Sequence, residues 1–581
     1  MKIITLHADY INFKPLKKAL KSIEDLTKKE AEEKKIKEPL VILTAVEKGD
    51  DGNTIKKLVE EIKKISEQLN ANNIVLYPYA HLSSNLGSPK EAENILKEAE
   101  KELKKLFKEV VRAPFGYYKE FEIKVKGHPL SELSREITGE KVTEEKISDE
   151  EIKELVKKMS KIKMSAPKGK NNWKSNVELG RDLDLYIVSE VIGGGLPLFT
   201  PKGTAIKREL EKFITEEELK RGYEYTSTPV MAKSDLYKVS GHWQHYQKDM
   251  FTLKLGNETF ALRPMTCPFQ FALYKRKPRS YKDLPKKYAE IAQLFRNEQS
   301  GELRGLTRLR QFSLADAHII CTHEQLEKQF AEVLDLIKFV MEKLGIEVWY
   351  RFSKHDPKNK EKYIDNPKAW KNTEDSMKKI LDKLKVKYKE AKGEAAFYGP
   401  KLDLQYEDVY GKEDTLITVQ IDFSAAERFD LKYLNEKGKE ERPIIIHRSS
   451  IGAIERTMAY LLEKNQGVLP TWLSPIQVRV INFTDRNSKA CEEFIEQLKS
   501  NMPTIRVDKD LDSVPLSGKI KDAEMQRIPY IIVIGDKEEQ NKQIAVRKRG
   551  KKDIEQQNIE EFIKTIQKEI KERNGISNKM Y

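Results

Sequence analysis

The chain has 581 residues, 34% of them charged, with a formal net charge of +14. Its length suggests about four domains of ~150 residues, and its basic balance favours a polyanionic partner, although abundant lysine and glutamate also fit a heat-adapted surface. Its 3 widely spaced cysteines argue against a disulfide framework, and no apolar run approaches the ~20 residues of a membrane span.

Residues 1–140 alternate between strand and helix patterns, as a small α/β domain does. Leu40–Leu43 and Ile74–Leu76 are apolar runs that predict buried strands, and Phe121–Lys126 alternates like a half-exposed strand. Thr54–Leu69 carries apolar residues at helical spacing. The apolar start of the chain is too short for a signal peptide, so together with the cysteine usage it predicts a cytoplasmic protein.

Three further segments follow this domain. Residues 141–175 predict a connector, in which a helical stripe precedes a basic linker with proline and glycine. Residues 176–470 open with a long helical pattern at Thr204–Leu219. Strands and helices alternate again over residues 471–581, where Tyr530–Ile534 predicts a buried parallel strand.

The most informative stretch is Phe295-Arg296-Asn297-Glu298, followed by Arg308–Phe312. An apolar run ends in an arginine and a glutamate, and a glycine-bearing loop leads back to an aromatic residue. This predicts a strand, a loop and a strand that point charges into a cleft. Arginine matches phosphate oxygens, a carboxylate accepts from an exocyclic amine, and an aromatic ring stacks on a base. The residues alone leave two interpretations, a nucleotide site and a surface ion pair.

These residues resemble motif 2 of the class II aminoacyl-tRNA synthetases. His447–Arg456 resembles motif 3 of that class, and Gly222–Pro229 resembles motif 1. Across essentially the whole chain the closest resemblance is to the threonyl-tRNA synthetase family, archaeal type. It implies a multidomain α/β and α+β fold with an antiparallel-sheet catalytic core, a deacylase-like N-terminal editing domain and a C-terminal α/β anticodon-binding domain.

The resemblance also implies an activity. The chain would activate L-threonine with ATP and Mg²⁺, transfer it to tRNA(Thr), and hydrolyse mischarged Ser-tRNA(Thr). It would act as a homodimer through motif 1, in the cytoplasm and without a membrane partner. Two alternatives stay open: another class IIa synthetase, such as the prolyl or seryl kind, and a non-catalytic RNA-binding paralogue.

The resemblance assigns five residues to ATP. Arg296 would contact the α-phosphate and the amino-acid carboxylate, Glu298 the adenine amine, and Phe312 would stack on the adenine. Arg308 and Arg456 would hold the γ-phosphate. Such a reaction needs no covalent enzyme intermediate, so positioning and charge neutralisation would dominate catalysis.

Cys267, His318 and His447 share no short metal-binding spacing, so on their own they favour a buried cysteine and two core histidines. The resemblance implies instead that they hold zinc with one open position for threonine. Valine lacks the hydroxyl that such a site requires and would be rejected. Leu314 departs from a glutamine common in bacterial relatives, and Gly452 would let motif 3 approach the nucleotide.

Five more residues would surround the amino acid. The resemblance assigns Asp316 to the substrate ammonium, and Tyr398 and Gln420 to the pocket wall. Lys401 would face the carboxylate side. His242 would lie near the terminal ribose and help proton transfer.

Serine lacks only one methyl group of threonine, which discriminates by only ~1–3 kcal/mol, so a second, hydrolytic site is expected. The residues that the resemblance assigns to editing are His81, Tyr118, Lys119 and Glu132. The residues that it assigns to the anticodon are Arg527, Glu538 and Arg547.

Overall fold

The structure is a computed structural model that describes every residue except 21, 22, 29, 84, 138–148, 160–163, 165–168, 552 and 576–581. Its contacts divide the chain into two compact units, residues 1–148 and 149–581. A helix occupies part of the predicted connector, whereas much of its basic linker lies outside the described residues. Across the described residues, no helix is both long and apolar enough to cross a membrane.

The N-terminal unit packs two helices on one face of a mixed sheet and an antiparallel layer on the other. Its elements are β1 (Lys2–Lys18), β2 (Lys34–Lys37), β3 (Pro39–Ala45), α1 (Gly52–Leu69), β4 (Asn73–Pro78), α2 (Pro89–Leu103), β5 (Glu109–Arg112), β6 (Tyr117–Val125) and β7 (Glu132–Glu136). The strands and the helix predicted here are confirmed.

Strand β1 belongs to both layers. Its first part pairs with β3 and β7, and its second part pairs with β2 and β6. Because side chains alternate along a strand, Leu40 and Ile74 face the two helices while Val41 and Val75 face the second layer. Asp51 accepts from two backbone N–H groups at the start of α1 and so fixes where that helix begins.

The second unit is built on a large sheet. Its elements up to residue 464 are α3 (Asp149–Met159), α4 (Asn176–Asp182), β8 (Tyr186–Ile187), β9 (Leu198–Phe199), α5 (Pro201–Lys220), β10 (Glu224–Tyr225), β11 (Met231–Lys233), α6 (Ser234–Ser240), α7 (His242–Tyr246), β12 (Thr252–Leu255), β13 (Glu258–Leu262), α8 (Cys267–Lys275), β14 (Lys286–Phe295), β15 (Gln311–Cys321), α9 (Leu326–Leu344), β16 (Trp349–Lys354), α10 (Pro367–Lys383), β17 (Tyr388–Lys392), β18 (Lys401–Glu407), β19 (Glu413–Asp422), α11 (Ala425–Arg428), β20 (Tyr433–Leu434), β21 (Glu440–Glu441), β22 (Ile444–Ala453) and α12 (Ile454–Lys464).

The strand order of this sheet, within the described residues, is β10-β14-β15-β22-β19-β18-β16-β17. Its central pairs are antiparallel, which confirms the predicted antiparallel core. The register sets one row across four strands: His318 lies opposite His447, His447 opposite Gln420, and Gln420 opposite Lys401. Four residues from distant parts of the chain therefore become neighbours through strand pairing alone.

A buried ion pair links the sheet to helix α5. Arg448 of β22 donates to Glu218 of α5 over 2.6 Å, and both side chains are almost completely buried. The ring of Tyr223 lies 4.1 Å from the Arg448 guanidinium carbon, and the Ser450 hydroxyl donates to the same carboxylate over 2.5 Å. Helix α5 and strand β22 thus meet through charges that the surrounding core shields from water.

The C-terminal part of this unit is a five-stranded sheet, counted within the described residues, in the order β24-β23-β25-β26-β27. Its elements are β23 (Val478–Asn482), α13 (Ser488–Asn501), β24 (Val507–Asp510), α14 (Leu516–Met525), β25 (Tyr530–Ile534), α15 (Asp536–Asn541), β26 (Gln543–Lys548), β27 (Ile554–Asn558) and α16 (Ile559–Glu572). The buried parallel strand predicted at Tyr530–Ile534 is confirmed as β25, which pairs in parallel with β23. Arg506 and Arg573 bind Glu209 and Glu216 of α5, each over 2.7 Å.

Candidate functional site

Cys267, His318 and His447 come together at one buried point. Cys267 begins α8, and the two histidines lie opposite each other on β15 and β22. One ligand atom from each of the three residues lies within 4.8 Å of the others. A thiol and two imidazoles are the donor set that zinc prefers, and three protein ligands leave a fourth position open. The residues present therefore fit a zinc ion.

The second nitrogen of each imidazole already has a partner. Nε2 of His447 lies 2.9 Å from the Asp422 carboxylate, whose other oxygen accepts from the backbone N–H groups of Ser424 and Ala425. Nδ1 of His318 lies 2.6 Å from the amide oxygen of Gln270. Each ring is thus held on one side and presents its other nitrogen to the cluster, as metal-binding histidines commonly do.

Burial disfavours charge throughout this cluster. Burial, and then the charge of Asp316, raises the pKa of the Cys267 thiol. Burial, and then His447, lowers the pKa of His318. Burial raises the pKa of the Asp316 carboxyl to about 6. A divalent cation would supply the positive charge that a thiolate and a carboxylate need here.

The residues predicted to surround threonine lie beside the cluster. The ring of Tyr398 stacks on His447 with centroids 5.0 Å apart, and its hydroxyl donates to the Gln420 side chain. A carboxylate oxygen of Asp316 lies 4.0 Å from Nε2 of His318. Nζ of Lys401 lies 3.3 Å from the buried Asp403 carboxylate, which holds the lysine at the end of the row.

His242 is buried against the same wall. Its ring centroid lies 6.2 Å from that of Tyr398 and 5.2 Å from that of Phe397, and its Nδ1 lies 2.8 Å from the Ser240 hydroxyl. Burial, followed by the charge of His447, lowers the pKa of His242 to about 3. The imidazole is therefore neutral at physiological pH and can accept a hydrogen bond.

The residues predicted to bind ATP lie on β15 and α12 and in the loop between β14 and β15. The guanidinium carbon of Arg296 lies 5.2 Å from the centroid of the Phe312 ring, and Arg296 makes no ion pair with any described residue. Nε of Arg308 donates to Glu298 over 2.8 Å. Arg456 donates to the backbone carbonyls of Thr307 and Thr415. An adenine amine or a phosphate arriving at this pair would compete with the Glu298–Arg308 contact.

Gly452 has a structural reason of its own to be glycine. It is the second-to-last residue of strand β22, with a φ of +84°, and a Cβ atom there would lie 2.4 Å from the backbone oxygen of Leu416. Positive φ and this close approach both require glycine. Strand packing thus explains the glycine, and the approach of a nucleotide at this position stays a prediction.

Lys119 of the N-terminal unit is half-buried between its two layers. Its ammonium donates to the carbonyl oxygens of Pro114 and Tyr117 over 2.9 and 3.0 Å, and lies 5.1 Å from the Tyr77 ring centroid. Burial lowers the pKa of Lys119 to about 8. His81 lies just beyond β4, with its ring 5.6 Å from that of Tyr79.

The other two editing predictions point elsewhere in this unit. Tyr118 adjoins Lys119 on β6, so strand alternation turns it to the opposite face, where it is 57% exposed. Glu132 pairs with Leu6 of β1, whereas Lys119 pairs with Pro15. These two pairings lie far apart along the same strand, so one copy of the fold does not bring Glu132 to Lys119.

The predicted anticodon residues lie at both ends of β25. Arg527, with a φ of +61°, precedes the strand, and Arg547 of β26 lies opposite Ile531 and donates to Glu524 over 2.8 Å. Glu538 follows the strand and accepts from Gln556 over 2.7 Å. All three predicted residues offer polar groups on the outside of the sheet.

Asp422 and Gln270 had no counterpart in the sequence predictions. Asp422 lies two residues after Gln420, on the same strand, and Gln270 lies three residues after Cys267. Their roles depend on which ring nitrogen they contact, and spacing carries no such information.

Three family models match the chain. Residues 1–137 match the "Archaea-specific editing domain of threonyl-tRNA synthetase". Residues 251–465 match the "tRNA synthetase class II core domain (G, H, P, S and T)", and residues 477–569 match an "Anticodon binding domain". These matches agree with the predicted class of each part of the fold.

Individual relatives point the same way. A threonine–tRNA ligase of Clostridium perfringens is 50% identical over 403 residues, which cover 68% of this chain and 62% of the relative. A threonine–tRNA ligase of Clostridium botulinum is 49% identical over 398 residues, with the same coverage. The chain thus spans about 62% of the length of these curated relatives.

Solved structures also match. The RNA binding domain of threonyl-tRNA synthetase from Cryptosporidium parvum is 31% identical with a TM-score of 0.65, and the match covers 70% of this chain and 100% of that one. A putative threonyl-tRNA synthetase, ThrRS-1, from Aeropyrum pernix is 26% identical with a TM-score of 0.60, covering 69% and 97% of the two chains.

Proposed function

The chain belongs to the threonyl-tRNA synthetase family, and from this premise we propose that it activates L-threonine with ATP and transfers it to tRNA(Thr). We propose further that residues 1–140 hydrolyse mischarged Ser-tRNA(Thr), that residues 176–470 activate threonine, and that residues 471–581 bind the anticodon. Residues 141–175 connect the first two. The protein acts in the cytoplasm as a homodimer through motif 1.

One observation carries this proposal: the shared row of His318, His447, Gln420 and Lys401, with Cys267 beside it. Cys267, His318 and His447 would hold zinc. When bound, zinc supplies a Lewis-acid position for the amino group and hydroxyl of threonine, which valine cannot fill. Asp316 receives the ammonium, and Tyr398 and Gln420 close the pocket around the side chain.

The cleft residues act on ATP, which enters with Mg²⁺. Arg296 neutralises charge on the α-phosphate as the threonine carboxylate attacks it, and Lys401 orients that carboxylate. Glu298 receives the adenine amine and Phe312 stacks on the ring, while Arg308 and Arg456 hold the γ-phosphate. Neutral His242 then accepts a hydrogen bond from the terminal ribose hydroxyl of the tRNA and so helps proton transfer there.

Editing completes the proposal because serine keeps the hydroxyl and lacks only a methyl group. Such a difference discriminates by only ~1–3 kcal/mol, too little for accurate charging. Lys119 and His81 would contact the mischarged end of the tRNA, with Tyr118 and Glu132 as further candidates. At the other end of the tRNA, Arg527, Glu538 and Arg547 would bind splayed anticodon bases.

Amino-acid-dependent exchange of pyrophosphate into ATP tests the proposal. We expect exchange with threonine, weak exchange with serine, and none above background with valine or proline. Exchange with proline or serine alone would indicate another class IIa synthetase. Absence of exchange with every amino acid would contradict the catalytic proposal and favour a non-catalytic RNA-binding protein.

A further inference from the structure

A chain of hydrogen bonds runs from the back of His318 to a buried carboxylate. The amide oxygen of Gln270 lies 2.6 Å from Nδ1 of His318, and the Gln270 amide nitrogen donates to the Thr226 hydroxyl over 2.8 Å. The Thr226 hydroxyl in turn donates to Glu290 over 3.1 Å. Gln270 is fully buried and Glu290 is 5% exposed, so water does not compete for these groups.

The Glu290 carboxylate is firmly held as an acceptor. It forms an ion pair with Arg263 over 2.9 Å, and both side chains are buried. It also accepts from the hydroxyl of Thr228, 2.9 Å away. Arg263 further donates to the carbonyl oxygen of Gln293 over 2.8 Å. With these donors around it, an ionised carboxylate has no hydrogen to give.

Acceptors that cannot donate fix the direction of every hydrogen bond along the chain. The Thr226 hydroxyl reaches two of them, the Glu290 carboxylate at 3.1 Å and the carbonyl oxygen of Ala289 at 3.3 Å, so its single hydrogen points to one of these. The Thr226 oxygen must then accept from the amide nitrogen of Gln270, which turns the amide oxygen towards His318. An amide oxygen can only accept, so Nδ1 of His318 carries the hydrogen and Nε2 presents a bare lone pair.

We propose that Glu290, Thr226 and Gln270 form a relay that fixes His318 in the tautomer whose Nε2 can bind a metal. The three are positioning residues, since none of them is a ligand. The inference rests on the proposed function for the identity of the metal, zinc. Nε2 is also the nitrogen that lies 4.0 Å from Asp316, on the side of the predicted amino-acid pocket.

The relay passes through the motif 1 segment, which lies outside the metal cluster. Thr226 and Thr228 belong to the motif 1 segment, Glu290 lies on β14, and Gln270 lies on the helix that Cys267 begins. The zinc affinity of the catalytic site would therefore depend on residues of the motif 1 segment that touch neither zinc nor substrate.

Gln270→Met and Gln270→Glu test the contact with His318. Methionine has a similar shape but accepts no such hydrogen bond, so we expect zinc to bind about 10- to 100-fold more weakly. Glutamate still accepts from Nδ1–H, so we expect the zinc affinity of Gln270→Glu to stay within about 3-fold of that of the unchanged chain, a smaller change than the one expected for methionine. The measurement is chelator competition on the full chain at equilibrium.

Glu290→Gln tests the direction of the relay. A glutamine there can donate to Thr226, which leaves the Ala289 carbonyl as the one acceptor of the pair for the Thr226 hydrogen and lets that hydrogen donate to a turned Gln270 instead. The amide nitrogen of Gln270 would then face Nδ1, and Nε2 would carry the hydrogen. We expect zinc affinity to fall at least about 10-fold. Thr226→Val interrupts the chain without changing the ion pair, and we expect a loss in the same direction.

Gln405→Met is the matched control. Gln405 is also a buried glutamine whose amide donates to a threonine, Thr415, over 2.6 Å, but it contacts no member of the metal cluster. We expect zinc affinity to stay unchanged. Thermal melting of each zinc-free variant shows whether a loss of affinity merely follows unfolding, in which case Thr226→Val replaces the failed variant.

Three results would overturn the relay. The first is a Gln270→Met variant that binds zinc as tightly as the unchanged chain, the second is a Gln270→Glu variant that loses as much zinc affinity as Gln270→Met, and the third is an unchanged chain that binds no zinc. Pyrophosphate exchange by the unchanged chain separates this result from the proposed function. If the unchanged chain shows no exchange but the Gln270 variants change zinc affinity as expected, only the proposed activity is rejected. If exchange occurs but the variants do not change zinc affinity, only the relay is rejected.

Discussion

The catalytic centre and the N-terminal editing region place their predicted residues in opposite ways. Cys267, His318 and His447 are far apart in the sequence, yet they converge at one buried point. Lys119 and Glu132 are close in the sequence, yet they pair with distant positions of β1. In both regions the register of antiparallel strands determines the outcome.

The difference between the two regions shows which residues of a site a β-sheet can bring together. Neighbouring strands in register place residues opposite one another, so a site can be built along one row across the sheet. Residues that follow one another on a strand face opposite sides, as Tyr118 and Lys119 do. A single copy of the N-terminal fold therefore supplies fewer of its predicted site residues than the catalytic sheet does.

Cys267→Ala gives the largest expected effect, because it removes one of the three converging ligands. We expect bound zinc to fall from about one per chain to near zero, and threonine-dependent exchange to fall at least about 100-fold. Metal analysis and pyrophosphate exchange measure the two quantities. Cys321→Ala, at a buried cysteine outside the cluster, is the control. A Cys267→Ala variant that keeps both zinc and exchange would contradict the assignment of Cys267 as a metal ligand of the catalytic centre.

Lys119→Met tests the half-buried cation of the editing region. We expect threonine activation to be unchanged and deacylation of Ser-tRNA(Thr) to fall about 10-fold or more, because a positioned cation that binds the substrate is removed. Lys124→Met, at an exposed lysine of the same strand, is the matched control. Equal deacylation by both variants would remove Lys119 from the editing site.

The pH dependence of the unchanged chain gives a separate test of Lys119. Burial lowers the pKa of Lys119 to about 8, so the ammonium is lost as the pH rises through 8. We expect Lys119-dependent deacylation to decline above that pH. Because the unfolded state keeps this proton up to its ordinary pKa, Lys119 makes stability increase from about pH 8 to about pH 10.5. Lys119→Met should lack that increase in urea unfolding of the chain.

Glu132→Gln is expected to have the smallest effect and sharpens the comparison most. The carboxylate is exposed and lies far from Lys119 along the pairing of β1. We expect deacylation to change less than about 3-fold, as for a surface substitution away from the reaction. A loss of deacylation as large as that of Lys119→Met would mean that Glu132 acts at an editing site that a single copy of the fold does not form.

Much of the fold could be predicted because its signals are local. Apolar periodicity identified α1, the buried strands β3 and β4, and the parallel strand β25. Strand β1 was not recognised as one element, since its long run crosses from one layer to the other. That crossing depends on pairing with strands far along the chain, which no local pattern records.

The residues of the candidate site likewise divide into those that could be predicted and those that depend on long-range packing. The resemblance to a family supplied the ligand set, whereas spacing alone favoured a structural cysteine and two core histidines. The half-burial of Lys119 could not be predicted from its place near the start of a strand, because it depends on the packing of β6 against Tyr77 of β4. Contact with the backbone of β19 is a second reason for glycine at position 452, and spacing in the sequence does not record that contact.

The ion pair between Arg448 and Glu218 has a dynamic consequence. Arg448 directly follows His447, and sliding β22 relative to α5 would leave a charge unpaired in the core, which is strongly unfavourable. Local opening of that strand should therefore require nearly global unfolding. The amide protons of β22 should be among the slowest of the chain to exchange with deuterium, while those of the exposed helix α3 exchange early.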